Sequence, residues 1–271
     1  MLTRVLCATD RSGSAAKLYR HAAGIASIAG ASLGLVHVGA PAATDPALQH
    51  LLEEYLATIP YGGDYPLEPE VYIRDGDPGS ALLACGREFG ADLIIAGSRR
   101  RGAVAAWLLG STSRALLEDT RTPLLLIPDN DLDVVTVDLG HARLNFGCVI
   151  AALDLAESNP GQLRVASEMA RLARQPLSLM TVLEPGGGVS HAEASAQLRD
   201  RAHGLELVRP RALIVRRGDI AEEIVRCATA EESGLVVMGL RSRGRGARPG
   251  AIAAAVLNHG RAAVLAVPNP D

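Results

Sequence analysis

Apolar residues in this chain fall in short runs, separated by longer stretches in which apolar positions recur at helical spacing. That alternation is the signature of βα units feeding a parallel sheet. In the first half it predicts strands at 4–9, 32–38, 70–74, 92–96 and 124–127, with helices at 14–29, 46–58, 79–89 and 110–118. The runs Leu93-Ile94-Ile95-Ala96 and Leu124-Leu125-Leu126-Ile127 carry no polar alternation, as expected of strands covered by helices on both faces. In the second half strands are predicted at 148–153, 177–183, 213–216, 235–238 and 264–267.

The two halves are versions of one sequence. Residues 76–102 align without a gap on 218–244, so that Gly76, Asp77, Cys85, Leu93, Gly97, Arg99, Arg101 and Gly102 recur. The run 5–9 ending in Asp10 matches 149–153 ending in Asp154, and RTPLLLIP at 121–128 matches RAAVLAVP at 261–268. A duplication sets how every later residue is read. The expected fold class is α/β, with two tandem doubly wound domains at 1–128 and 146–271. Each is a five-stranded, mostly parallel sheet with helices on both faces. The polar stretch 129–145 reads as the linker, and its inner run Val134-Val135-Thr136-Val137 as an extra edge strand.

Composition narrows the chemistry. The chain has 271 residues, 48% hydrophobic and 21% charged, which suits two globular domains. A formal charge of -3 gives no general pull toward nucleic acid or an anionic membrane. Lys17 is the only lysine, so neither a Walker P-loop nor a Schiff-base enzyme has its required residue. An aromatic content of 3% leaves few platforms for stacked bases. Cys7, Cys85, Cys148 and Cys227 form no Cys-x-x-Cys pair and have no histidine at zinc spacing, so they read as buried reduced thiols and no metal site is expected. Residues 1–20 lack the apolar core of a secretory signal, and no window reaches 18 residues without charge. These features predict a cytoplasmic chain with no membrane partner.

In open parallel sheets ligands bind beyond the carboxyl ends of the strands, where the strand order reverses. Asp10, Val38 and Gly97 each end a predicted strand. After the fourth strand come Gly97-Ser98-Arg99-Arg100-Arg101-Gly102, an apolar stretch with Trp107, and Gly110-Ser111-Thr112-Ser113 at a helix start. Hydroxyls at a helix start supplement its free amides, which suits phosphate, although the same residues also serve as plain caps. No Gly-x-Gly-x-x-Gly follows the first strand and no Gly-x-Ser-x-Gly elbow occurs, so neither an NAD-type dehydrogenase nor a hydrolase has its fingerprint. His37 lies within the second strand, where a core or crevice-lining role outweighs catalysis.

In order and spacing these pieces resemble the universal stress protein family. That family carries an aspartate after the first strand and a Gly-x2-Gly-x9-Gly-(Ser/Thr) nucleotide loop after the fourth. Here the aspartate is Asp10, and Gly97, Gly110 and Ser111 stand at the first, third and fourth places, while Arg100 replaces the second glycine. The resemblance implies that Asp10 and Val38 hold the adenosine of ATP, with magnesium, while Gly97, Arg100, Gly110, Ser111 and Thr112 line the phosphates. Asp10 is equally suited to capping the following helix. The charge of Arg100 favours phosphate, whereas any demand for positive φ at its position opposes a non-glycine residue. The second copy departs further: Asp154 and Gly239 remain, but Ser242 replaces the second glycine, Gly250 arrives two residues early and Ala251 lacks the hydroxyl. The resemblance therefore implies a stress-response protein that binds ATP in its first domain beside a degenerate second one, and implies binding rather than catalysis. It also implies packing of the halves as a pseudo-dimer through their last strands, and leaves room for a homodimer of whole chains. Two other readings stay open: a nucleotide-free module acting through protein partners, and an adenylyl-transferring enzyme.

Overall fold

The computed structural model describes residues 2–9, 15–39, 67–98, 110–138, 141–157, 159–205, 208–240 and 250–269. The predicted helix at 46–58 lies outside them. The described residues separate into two compact units, unit 1 running up to Asn145 and unit 2 beginning at Phe146.

Unit 1 contains β1 (Arg4–Thr9), α1 (Ala15–Ala29), β2 (Ser32–Val38), β3 (Glu70–Arg74), α2 (Pro78–Phe89), β4 (Leu93–Ser98), α3 (Ser111–Asp119) and β5 (Leu124–Pro128). Its five strands run parallel in the order β5-β4-β1-β2-β3. The order reverses between β1 and β4, which sets the crevice expected of such sheets there. Leu6, Leu35, Ile95 and Leu125 are buried on neighbouring strands of this sheet. Their sequences are continuous apolar runs because helices cover both faces.

Two further strands, β6 (Val135–Asp138) and β7 (His141–Leu144), pair antiparallel in a two-stranded sheet of their own. This corrects the expected edge strand: the Val-Val-Thr-Val run joins no parallel sheet. Instead it lies on α1, where a Cβ on Gly24 would collide with the Val135 side chain. Much of the stretch expected to be linker is thus an ordered hairpin packed on the first unit.

Unit 2 repeats the plan with β8 (Val149–Ala152), α4 (Pro160–Ala173), β9 (Leu177–Leu183), α5 (His191–His203), β10 (Ala212–Arg217), α6 (Ile220–Ala230), β11 (Leu235–Leu240), α7 (Ala251–His259) and β12 (Ala263–Pro268). The parallel order is β10-β9-β8-β11-β12, the same topology as unit 1.

The repeated Gly-Asp pair has a structural role in both units. Gly76 and Gly218 adopt φ of 103° and 154°, which L side chains rarely tolerate. The aspartate that follows caps a helix: Asp77 accepts from the Ser80 amide at 2.9 Å, and Asp219 from the Glu222 amide at 3.0 Å. All four cysteines are free and buried. Burial pushes the Cys7 thiol up to about 12, so it stays protonated and is no nucleophile. No described helix is long and apolar enough to cross a membrane.

Candidate functional site

At the carboxyl edge of the unit 1 sheet, β1 ends at Thr9, and Asp10 lies outside the described residues. β2 ends at the half-buried Val38. One residue earlier, His37 is buried with Nδ1 3.2 Å from the Thr9 carbonyl oxygen. A carbonyl only accepts, so this bond places a proton on Nδ1. It ties the end of β2 to the end of β1, and burial gives His37 a core role at the strand end.

Across the switch point, Gly97 near the end of β4 is exposed, and the nearest side-chain atom to a Cβ placed there would be Leu18 Cδ2 at 3.6 Å. α3 begins at Ser111 after Gly110, which has no side chain to cap it. Among the described residues, a Cβ added at Gly110 meets nothing within 4 Å. Ser111 is exposed and Thr112 half-buried. The buried Ser113 joins these parts, because its hydroxyl donates to the Gly97 carbonyl at 3.3 Å. That bond holds the end of β4 against the first turn of α3, a place whose leading amides suit an anion. Ser113 belongs to the helix start expected to suit an anion, but its hydroxyl is turned to the strand end instead. Arg100 and Trp107 lie outside the described residues.

Unit 2 handles the same edge differently. Thr181 replaces His37 in the repeat, and its hydroxyl donates to the Leu153 carbonyl at 2.9 Å, so the tie between first and second strands persists. Where unit 1 has Leu18 beside Gly97, unit 2 has Gln162 beside Gly239, with its Oε1 3.0 Å from the place a Cβ would take. Gln162 is buried and its Nε2 donates to the carbonyls of Ala152 at 2.7 Å and Val237 at 3.1 Å. Asn159 caps α4 by accepting from the Gln162 amide at 3.0 Å, while its own Nδ2 donates to the Val267 carbonyl at 3.3 Å. Above this polar clamp is a cavity of about 270 Å³, walled by the ends of β8, β9 and β11 and the start of α7. Neither the clamp nor the cavity was expected from the sequence. The available signal was Asn159-Pro160 with Gln162 three residues on, a helix-start pattern whose glutamine has no apolar role to fill.

Among the described residues no group of three His, Cys, Asp or Glu is placed to hold a metal ion.

The universal stress protein family model matches residues 1–128 and again 148–268. The chain belongs to the universal stress protein family. Its double match makes it a tandem member, each copy on one α/β unit. The fold is similar to that of a universal stress protein from Archaeoglobus fulgidus DSM 4304, at 20% identity and a TM-score of 0.76, with 98% of each chain covered. It is similar also to a putative universal stress protein from Pseudomonas aeruginosa UCBPP-PA14, at 19% identity and a TM-score of 0.68, with 99% of this chain and 94% of that one covered. No curated protein matches the sequence.

Proposed function

We propose that this universal stress protein binds an adenine nucleotide, ATP with magnesium, at the carboxyl edge of unit 1, and acts as a stress-response binding protein. The observation that carries the reading is the Ser113 hydroxyl bond to Gly97, which holds the exposed strand end beside the uncapped start of α3. Amides at such a start take phosphate oxygens, and the Ser111 and Thr112 hydroxyls add donors. Among the described residues nothing lies within 4 Å of a Cβ at Gly110, which supports a phosphate there where a side chain would intrude. Val38 offers an apolar contact to the base, and Asp10 and Arg100 complete the set by their places in the family motif.

The test is a calorimetric titration of nucleotide-stripped protein with ATP and magnesium, for the wild type and Gly110→Asp. The carboxylate would occupy the phosphate space with like charge, so binding heat is expected to vanish while the melting temperature stays near the wild-type value. A folded variant that keeps its affinity would remove the phosphate site from Gly110.

A further inference from the structure

His37 and Gly39 flank Val38 at the end of β2, and the space that one needs is left by the other. We propose that they are a coupled positioning pair for the nucleotide site of unit 1: the imidazole ties the strand ends together, and the glycine makes room for the imidazole. The inference rests on the nucleotide reading above and adds to it two residues that touch no ligand.

The bond from His37 Nδ1 to the Thr9 carbonyl joins the last register pair of β1 and β2. Its partners directly precede, in the sequence, the two residues proposed to hold adenosine, since Asp10 follows Thr9 and Val38 follows His37. On the other side of Val38, the Gly39 amide donates to the Arg74 carbonyl of β3 at 3.0 Å. Val38 is thus pinned through the residue before it and the residue after it. A strand end held in place before the ligand arrives spares the ligand the cost of ordering it.

Gly39 is glycine for space. It does not adopt a left-handed φ, so the backbone makes no demand for glycine there. The ring makes one: a Cβ at this position would lie 2.9 Å from His37 Nε2, 3.7 Å from its Cδ2 and 3.8 Å from its Cε1. A swing of the ring that frees Nε2 carries Nδ1 off the Thr9 carbonyl, so a side chain at residue 39 and the bond compete.

Unit 2 shows the other solution. Its register puts Thr181 and Leu183 where unit 1 has His37 and Gly39. Thr181 makes its tie to the Leu153 carbonyl at 2.9 Å through a short side chain that does not overhang the second residue on. That residue is free to be leucine. Within one chain, imidazole goes with glycine and hydroxyl with a branched side chain.

The experiment compares the full-length wild type with His37→Val, His37→Thr, Gly39→Ala and the double variant His37→Thr with Gly39→Ala. Each is unfolded in urea without nucleotide and titrated with magnesium-ATP by calorimetry. Valine and threonine are alike in shape, so the difference between them reports on the hydroxyl. His37→Val is expected to weaken ATP by about fivefold, and His37→Thr to recover the affinity to within about twofold of the wild type. Gly39→Ala alone should weaken ATP by about fivefold and lower the urea midpoint. In the His37→Thr background it should leave the affinity unchanged and hold or raise the midpoint, because alanine at an unstrained position restricts the unfolded chain. Equal affinities for His37→Val and His37→Thr, or lower stability with full affinity, would make the tie merely structural and overturn the positioning role. The same effect of Gly39→Ala in both backgrounds would overturn the coupling. A wild type that gives no heat with ATP would overturn the nucleotide reading and the positioning role with it, while the urea cycle still decides the coupling, so the two failures are told apart.

Discussion

His21 shows what a single buried residue does to the pH response of unit 1. It sits on α1 with 1% of its surface exposed, its Nδ1 accepts from the Val135 amide at 3.3 Å, and its Nε2 has no hydrogen-bond partner. Burial holds its pKa down to about 4, with the charges of Lys17 and Arg20 adding to the effect and Asp133 opposing it. The folded value lies below the ordinary 6.5, so between those pH values the unfolded chain takes up a proton that the folded chain refuses. Stability is therefore expected to fall as pH drops from 6.5 toward 4, by about 3 kcal/mol in all, because one proton refused by the fold costs roughly 1.4 kcal/mol for each pH unit crossed. His21→Asn keeps an acceptor for Val135 and removes the titration. Urea denaturation at neutral pH and at several values down to 4 should give a shallower decline for the variant. Parallel declines in the two proteins would mean that the imidazole is charged inside the fold.

At the scale of elements, the start of α4 carries the comparison between the two copies. Gln162 and Leu18 stand at the same place relative to the strand-end glycine, but only Gln162 donates to two carbonyls. Gln162→Leu is close to volume-conserving and reproduces the residue of unit 1, so overpacking contributes little to its cost. What remains is the loss of a donor to two carbonyls, expected to lower stability by about 2 kcal/mol in chemical denaturation. A neutral substitution would mean that water reaches those carbonyls and that the floor of the cavity is wet.

The strands of both units were legible because burial on both faces leaves uninterrupted apolar runs such as Leu93 to Ala96. α5 was not, since only Ala194 and Leu198 are buried along it and no apolar stripe marks a helix. Its capping box, in which the Ser190 hydroxyl accepts from the Glu193 amide at 3.2 Å and Glu193 accepts from the Ser190 amide at 2.8 Å, was the signal present. The β6–β7 hairpin was misplaced for a related reason: alternation identifies a strand but not its partner. In the candidate site, Gly97, Gly110, Ser111 and Thr112 are proposed from the motif alone, whereas the Ser113 hydroxyl bond spans 16 positions that no local pattern encodes.

For the whole molecule the proposed function turns on how many nucleotides one chain would bind. Duplication alone predicts two, because the copies share their topology and the tie between first and second strands. The residues proposed to meet the nucleotide argue for one. Unit 1 places two hydroxyls, Ser111 and Thr112, at its helix start, while unit 2 places Ala251, which has none, at the counterpart. Losing a donor costs an anion site about 1 kcal/mol or more. A calorimetric titration with magnesium-ATP is therefore expected to give about one site per chain, abolished by Gly110→Asp. A second site that survives in the variant would place nucleotide in unit 2 and show that backbone amides alone suffice there. No heat at several temperatures, from protein shown to be folded, would transfer the stress-response role to partner binding.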